Sequence, residues 1–215
     1  MINELVCDDC MSYMPKIQTG GVNLTITDIP YGEVNRNSNG LRNLDKKAAD
    51  ILTFNLSDFL DEIYRITSGT IIIFCGKGQF SSIYNYFAEK QESNKGTVRQ
   101  IVWEKSNPSP MNGQYIYLSG TENAVWFKKR GGAFNAHCKN TVFKYPCGKS
   151  KDHPTEKNHK LLQELILDNS NEGDIVFDPC AGSGSHLLVA KENNRKFLGC
   201  EINEMWYNVG KSKLK

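Results

Sequence analysis

The sequence predicts a single α/β domain built on a mostly parallel seven-stranded sheet with an antiparallel pair at one edge. Short runs of β-branched residues alternate along the chain with longer segments whose apolar residues recur at helical spacing. Two neighbouring runs are joined without room for a helix, which requires an antiparallel pair. The length of 215 residues, with 39% hydrophobic and 23% charged residues, fits one domain with its own core and excludes disordered and fibrous classes.

Each strand is expected at a short apolar run, and each helix at a longer amphipathic segment. The strands are predicted at residues 4–7, 22–27, 70–74, 98–103, 123–128, 175–177 and 197–200, and the helices at 11–17, 56–66, 80–90, 160–168, 185–193 and 204–212. Proline, asparagine and glycine between residues 103 and 123 favour a turn, which makes the flanking strands the antiparallel edge pair. The polar stretches 32–49 and 129–151 are too long for simple connections, so we expect functional loops there.

Composition narrows the classes of function. No run approaches the ~20 apolar residues of a membrane span, and the first residues lack the features of a signal peptide, so we expect a cytoplasmic protein. The seven scattered cysteines are expected to be free thiols. Cys7 and Cys10 form a C-x-x-C pair, but Cys138 and Cys147 are wrongly spaced for a second zinc-binding pair, and we predict no metal. The net charge is only +2, and the acid-free basic stretch 128–151 fits a polyanion site and a solvated loop equally well.

The sharpest local motif is Asp28-Ile29-Pro30-Tyr31, which directly follows a predicted strand. Ligands of open α/β sheets gather at the carboxyl ends of strands. The exocyclic amine of a nucleobase is a poor nucleophile, and alkylating it requires acceptors for both of its hydrogens. The Asp28 carboxylate and the Pro30 carbonyl supply two acceptors, and the Tyr31 ring offers a face for stacking the base. A proline turn covered by a packed tyrosine is the purely structural alternative for this motif.

A second motif, residues 173–185, is a predicted strand followed by a glycine-rich turn and a helix start. Gly182 and Gly184 let the backbone approach a ligand, and Glu201, after the next strand, is placed to accept the two hydroxyls of a ribose. Leu187 stands where a dinucleotide fingerprint requires glycine or alanine, and Asp178 suits an ammonium better than a pyrophosphate. The pattern favours S-adenosylmethionine over NAD or FAD.

These motifs resemble those of the β-class amino-group DNA methyltransferases. Asp28-Ile-Pro-Tyr is similar to their catalytic D-P-P-Y element, residues 178–185 resemble their D-P-F-x-G-S-G-T cofactor loop, and residues 153–157 match the start of their H-P-T-E-K-P element. The resemblance covers nearly the whole chain. It implies a Rossmann-like methyltransferase fold in one domain over residues 1–215, in permuted order: a catalytic half at 1–128, a recognition region at about 105–151 and a cofactor half at 152–215.

The resemblance also implies roles for individual residues. Asp28, Pro30 and Tyr31 are the expected catalytic residues. Residues expected to bind S-adenosylmethionine are Asp9, Cys10, His153, Thr155, Lys157, Asp178, Pro179, Cys180, Ala181, Gly182, Ser183, Gly184 and Glu201. The chain departs from the family pattern at Ile29, Asn158, Cys180 and Ser185.

The recognition region is short, which predicts a short recognition sequence or binding dominated by phosphate contacts. The basic residues expected to contact DNA are Arg36, Arg42, Lys46 and Lys47 in the loop after Tyr31, and Lys128, Lys129, Arg130, Lys139 and Lys144. Fold-level analogy favours a homodimer that spans the DNA, and the resemblance includes enzymes of restriction–modification systems with a cognate endonuclease.

The activity implied is transfer of a methyl group from S-adenosylmethionine to the N6 amine of adenine in DNA, after the base is flipped out of the duplex. Aspartate rather than serine at position 28 favours adenine over cytosine. Methylation of cytosine N4, of RNA or of a protein glutamine, and a non-catalytic nucleic-acid-binding subunit with a decayed cofactor pocket, are the alternatives. Cys180 and Asn158 are the features that favour a decayed pocket.

Overall fold

The computed structural model describes residues 2–31, 52–110, 113–148 and 157–215, which form one sheet with helices on both faces. The strands are β1 (Glu4–Cys7), β2 (Val22–Asp28), β3 (Thr67–Cys75), β4 (Gly96–Lys105), β5 (Thr121–Lys129), β6 (Val142–Tyr145), β7 (Ile175–Asp178) and β8 (Lys196–Glu201). The helices are α1 (Cys10–Tyr13), α2 (Leu56–Ile66), α3 (Lys77–Glu92), α4 (His159–Asn169), α5 (Ser185–Glu192) and α6 (Glu204–Lys213). Within these ranges no helix combines the length and apolar character needed to cross a membrane.

The strand order is β1-β8-β7-β2-β3-β5-β4-β6. β5 is antiparallel to both of its neighbours, β3 and β4, whereas all the other adjacent pairs of these strands are parallel. The predicted α/β class, the mostly parallel sheet and the antiparallel pairing of β4 with β5 are therefore confirmed.

The predicted count of seven strands and the edge position of the antiparallel pair are wrong. The additional strand, β6, lies in the polar stretch that was expected to be a loop, and it pairs in parallel with β4, where Trp103 lies opposite Phe143. Only Phe143 of its four residues is buried, so its local apolar signal is weak. β6 is a strand because β4 offers it a pairing edge, which is a tertiary cause that periodicity does not report.

The sheet separates two apolar cores because successive side chains of a strand point to opposite faces. Ile71 and Ile73 of β3 join the core beneath α1, α2 and α3, whereas Ile72 and Phe74 join the core beneath α4 and α5. Tyr207 of α6 packs against this second core. The result is a three-layer arrangement of helices, sheet and helices.

The strand order reverses at the centre of the sheet, where α/β folds form a crevice. From β2 the chain leads to β3 on one side, and from β7 it leads to β8 on the other. Open α/β sheets bind ligands at such a reversal, beyond the carboxyl ends of the strands. Asp28 and Asp178 are the last residues of β2 and β7, so both motifs found in the sequence lie at this crevice.

Candidate active site

Asp28 is at the end of β2, opposite Phe74 of β3. The following residue, Ile29, stays in register because its N–H donates to the Phe74 carbonyl at 3.2 Å, and its side chain is fully buried. One Asp28 oxygen, Oδ2, lies 2.7 Å from the Lys157 Nζ. The other, Oδ1, is buried and has no hydrogen-bond partner among the described residues. A buried carboxylate oxygen without a donor is unfavourable, so a hydrogen-bond donor from a ligand would stabilise this atom.

Pro30 places a second acceptor nearby. The Gln79 Nε2 donates to the Pro30 carbonyl at 2.8 Å, while the Gln79 Oε1 accepts from the Gly76 N–H at 2.9 Å. Gln79 therefore ties the loop after β2 to the start of α3. A carbonyl oxygen has two lone pairs, so the Pro30 carbonyl keeps the capacity for one more donor.

Lys157 contacts three other polar side chains of the site. Its side chain is 5% exposed, and besides Asp28 it contacts the Glu122 Oε2 at 2.7 Å and the Tyr31 hydroxyl at 3.1 Å. Lys105 contacts the other Glu122 oxygen at 2.7 Å. Two ammonium and two carboxylate groups therefore alternate across the site, and their formal charges cancel.

The surroundings fix the protonation of these groups. Burial alone would lower the pKa of Lys157, but the Asp28 and Glu122 carboxylates hold it well above its ordinary value. Burial would raise the pKa of Glu122, but Lys157 and Lys105 hold it below its ordinary value. Burial and the Asp28 charge raise the pKa of Tyr31 well above its usual range. At neutral pH, Lys157 and Glu122 are charged and Tyr31 keeps its proton.

The sequence pattern predicted that Lys157 binds the cofactor, whereas in the structure its ammonium contacts the Asp28 carboxylate. Sequence reasoning did not identify Glu122, Lys105 or Gln79 as functional residues. Lys105 and Glu122 each stand at an end of a predicted strand of the antiparallel pair, which is the signal that was present. His153 and Thr155, also assigned to the cofactor, lie outside the described residues.

The glycine-rich turn connects β7 to α5. Asp178 is fully buried; its Oδ1 accepts from the Cys180 N–H at 3.0 Å and its Oδ2 lies 2.6 Å from the His186 Nδ1. Its predicted contact with a cofactor ammonium therefore competes with His186, a residue that the sequence motif did not single out. Gly182 has a φ of +51°, and a Cβ added there would meet no atom within 4 Å, so its outer side is open.

Two further acids lie at the neighbouring strand ends. The Glu201 Oε2 accepts from the Gly182 N–H and its Oε1 from the Asn203 N–H, each at 2.7 Å, which leaves lone pairs on both oxygens. Burial raises the pKa of Glu201. The Asp9 Oδ1 caps α1 by accepting from the Met11 N–H at 2.8 Å.

The remaining residues of the predicted pocket line the same turn. Cys10 is buried, and a hydrogen bond with it is the leading cause that raises the pKa of Cys180 well above its usual range. Pro179, Ala181 and Ser183 complete the turn between β7 and Gly184. Asn158, where the family pattern has proline, caps α4 by accepting from the Lys160 N–H at 2.9 Å.

The predicted DNA-contacting residues that the structure describes do not lie together. Lys128 lies opposite Thr70 near the start of β3, so Lys128, Lys129 and Arg130 are at the edge of the sheet remote from Asp28. Glu122 and Lys129 are seven positions apart along β5, a distance of about 23 Å.

Two other predicted DNA contacts are already paired with acids. Lys139 lies 2.6 Å from an Asp168 oxygen and 3.1 Å from a Glu164 oxygen. Lys144 lies 2.6 Å from Glu104 at the carboxyl end of β4, and so shares the edge of Asp28. Arg36, Arg42, Lys46 and Lys47 lie outside the described residues.

Known proteins resemble this chain in sequence and in fold. A family model for N6/N4 methyltransferases, described as DNA methylase, matches residues 135–212. Type II methyltransferase M.HpaI of Haemophilus parainfluenzae is 28% identical over 100% of this chain and 74% of its own length. Type II methyltransferase M2.DpnII of Streptococcus pneumoniae is 25% identical over 98% of this chain and 88% of its own. The M1.HpyAVI–SAM complex aligns with a TM-score of 0.73 at 25% identity, covering 98% of both chains.

These similarities support an amino-group DNA methyltransferase. The reaction of this family is transfer of a methyl group to an exocyclic amine of a DNA base. The cytosine-N4-specific PvuII DNA methyltransferase aligns with a TM-score of 0.69 at 15% identity, covering 98% of this chain and 85% of its own, and shows the fold alone. The similarities support DNA amino-methyltransferase activity for this chain.

Proposed function

We propose that this methyltransferase modifies the N6 amine of adenine in DNA, after the target base has left the duplex. The observation that carries the proposal is the pair of acceptors at the end of β2. The Asp28 Oδ1 is buried and has no partner among the described residues, and the Pro30 carbonyl keeps a free lone pair. An exocyclic amine has two hydrogens, and these two acceptors match them.

The acceptors activate the amine by orienting it. When Asp28 and Pro30 hold both hydrogens, the nitrogen lone pair is drawn out of conjugation with the ring and points at the methyl donor. Lys157 holds the other Asp28 oxygen at 2.7 Å, which fixes the plane of the carboxylate. After transfer, the surplus amine proton is close to Asp28, which can accept it.

Tyr31 supplies the stacking surface. Its hydroxyl is bonded to Lys157 at 3.1 Å, and the Lys157 ammonium lies 5.4 Å from the ring centroid, so the ring is held from its far end. A ring fixed in this way presents a flat apolar face beside Asp28 without loss of side-chain entropy on binding.

The cofactor of the family is S-adenosylmethionine, and the crevice fits it. Gly182 has an open outer side for close approach, and both Glu201 oxygens keep lone pairs for ribose hydroxyls. Asp9 and the turn from Asp178 to Gly184 would complete the binding site. When bound, the cofactor supplies a methyl group on a sulfonium, which is electrophilic without help from a metal or a covalent intermediate.

The test is incubation of the purified protein with labelled S-adenosylmethionine and mixed-sequence duplex DNA, followed by nucleoside analysis. N6-methyladenine is expected. N4-methylcytosine would overturn the choice of base while keeping the role of Asp28. Label on RNA but not on DNA would overturn DNA as the acceptor, and absence of cofactor binding would favour a decayed, non-catalytic subunit.

A further inference from the structure

The loop between β4 and β5 exposes a run of large apolar side chains. Tyr115, Ile116 and Tyr117 are 79%, 63% and 101% exposed, and Leu118 is 42% exposed. Single apolar side chains are common on protein surfaces, but four in succession are unfavourable in water unless they serve a function.

The backbone of this loop is held in place. The Gly113 N–H donates to the Pro110 carbonyl at 3.0 Å, and the Lys105 N–H donates to the Gly120 carbonyl at 2.8 Å. A Cβ added to Gly113 would come within 2.8 Å of the Leu118 Cδ2, so Leu118 lies against the turn. Leu118 therefore packs within the loop, whereas Tyr115, Ile116 and Tyr117 are exposed on its outer side.

The loop lies at the same edge of the sheet as Asp28. β5 runs antiparallel to β3, so the residues before Thr121 are found where β2 and β3 end. Glu122, five residues after Tyr117, contacts the Lys157 that holds Asp28. The exposed run is therefore joined to the catalytic groups by one short strand segment.

The composition of the loop indicates that it suits contacts with DNA bases rather than with phosphates. Residues 113–120 include no charged side chain, so neutralisation of phosphates is not their chemistry. Tyrosine rings stack on bases, and apolar side chains of DNA-bending proteins insert between base pairs. A base that leaves the duplex also leaves a gap that such side chains can fill.

We propose that Tyr115, Ile116 and Tyr117 insert into the DNA duplex beside the target base and occupy the space that it leaves. This inference rests on the proposed function, because it requires a target base that leaves the duplex. It assigns base contacts to a segment that carries no basic residue and lies next to the catalytic groups.

The experiment uses a duplex whose target position has been mapped by sequencing DNA methylated by the wild-type protein. A second duplex has the same sequence but an abasic site opposite the target, so that the target base leaves the stack readily. The double variant Tyr115→Ala/Tyr117→Ala is expected to lose about tenfold or more of kcat/KM on the paired duplex, in line with the loss of base stacking. On the abasic duplex the loss is expected to be several-fold smaller.

Two control variants accompany the alanine variant. Tyr115→Phe/Tyr117→Phe keeps both rings and is expected to retain wild-type kcat/KM. Ile2→Ala removes an apolar side chain that is 52% exposed before β1, at the opposite edge of the sheet, and is expected to change nothing.

Three results would overturn the inference: no loss in the alanine variant, an equal loss on both duplexes, or a change in sedimentation that makes the loop a contact between two copies of the chain. Absence of methylated DNA with the wild-type protein would instead overturn the proposed function, and this inference with it. Methylation by the wild-type protein that the alanine variant matches would overturn this inference alone.

Discussion

The two oxygens of Asp28 have different surroundings, and the difference defines their roles. Oδ2 contacts the Lys157 ammonium, while Oδ1 is buried and has no hydrogen-bond partner among the described residues. Since Lys105 and Lys157 balance Asp28 and Glu122, the cluster presents no net charge to an incoming nucleotide. A buried carboxylate would otherwise repel a polyanion at short range.

Substitution of Asp28 by asparagine tests the acceptor role. Asp28→Asn keeps the shape of the side chain but removes its charge, and we expect the methyl-transfer rate to fall by about a hundredfold or more. Affinity for S-adenosylmethionine, measured by calorimetry, should stay within about threefold of wild type, because the residues that fit the cofactor lie on other strands. Turnover close to wild type in this variant would contradict the proposed role of Asp28.

Substitution of Glu122 tests whether this residue positions Lys157. Glu122→Gln leaves Lys105 and Lys157 sharing a neutral amide, so Lys157 loses one of the anions that position it. Hydrogen bonds to charged groups are worth about 1.5–3 kcal/mol, and we expect kcat to fall by about tenfold or more while KM for the cofactor is unchanged.

Glu104→Gln is the matched control for this variant. Glu104 lies at the same edge of the sheet and pairs with Lys144, but both side chains are largely exposed, and exposed pairs contribute little. Similar values of kcat in the two variants would show that Glu122 acts only as a surface charge.

At the scale of elements, the start of α5 is constrained both by its backbone conformation and by its packing. Gly184 has a φ of +77°, and a Cβ there would come within 3.2 Å of the Gly210 Cα in α6. The glycine therefore serves both the left-handed turn and the close contact of two helices.

Gly184→Ala is expected to lower the free energy of unfolding by more than Gly173→Ala, as measured by urea denaturation. Gly173 has nearly the same φ, +80°, but a Cβ there would meet no atom within 4 Å. Its variant therefore reports the left-handed strain alone, about 1–2 kcal/mol. Equal losses would mean that the contact between α5 and α6 adapts without cost.

Elements with strong local signals could be predicted from the sequence, and elements defined by their neighbours could not. α2 has the bounds expected from its periodicity, since its apolar stripe is regular and Asn55 caps it. β6 was missed because its pairing partner β4 defines it. The exposed run 115–118 was missed as a separate feature because exposure depends on the fold around it.

The same division applies to the whole site. Asp28, Pro30 and Tyr31 are adjacent in sequence, so a short motif reports them together. The contacts of Lys157 with Tyr31 and Glu122 join residues that are 126 and 35 positions apart. Such contacts depend on the order of the strands in the sheet, which the sequence motifs do not report. The motifs therefore indicated Lys157 but not the residues that it contacts.

Over the whole molecule, Lys129 links stability to pH. Burial and the neighbouring Lys90 charge lower the pKa of Lys129 from 10.5 to about 8. Between pH 8 and 10.5 the unfolded chain binds this proton more tightly than the folded protein, so stability gains a contribution as pH rises. Below pH 8 both states are protonated and the cost of the partly buried charge is constant.

Lys129→Met removes this titration. We expect the free energy of unfolding of the wild type, measured relative to the variant, to increase between pH 7 and pH 9.5. Urea denaturation at several pH values provides the measurement, and Arg130→Met, at the adjacent exposed position, is the control without such a trend. A difference that is independent of pH, or that decreases, would contradict the lowered pKa.

The pairing of β1 with β8 has a consequence for synthesis of the protein on the ribosome. β1 emerges before the other described strands, yet within the described sheet it is hydrogen-bonded only to β8, which is made after the other seven. β2 likewise lacks β7 on one side until residue 178 has been translated. The nascent chain therefore keeps these two strand edges uncovered until β7 and β8 have been translated, and we expect chaperones to bind at these edges.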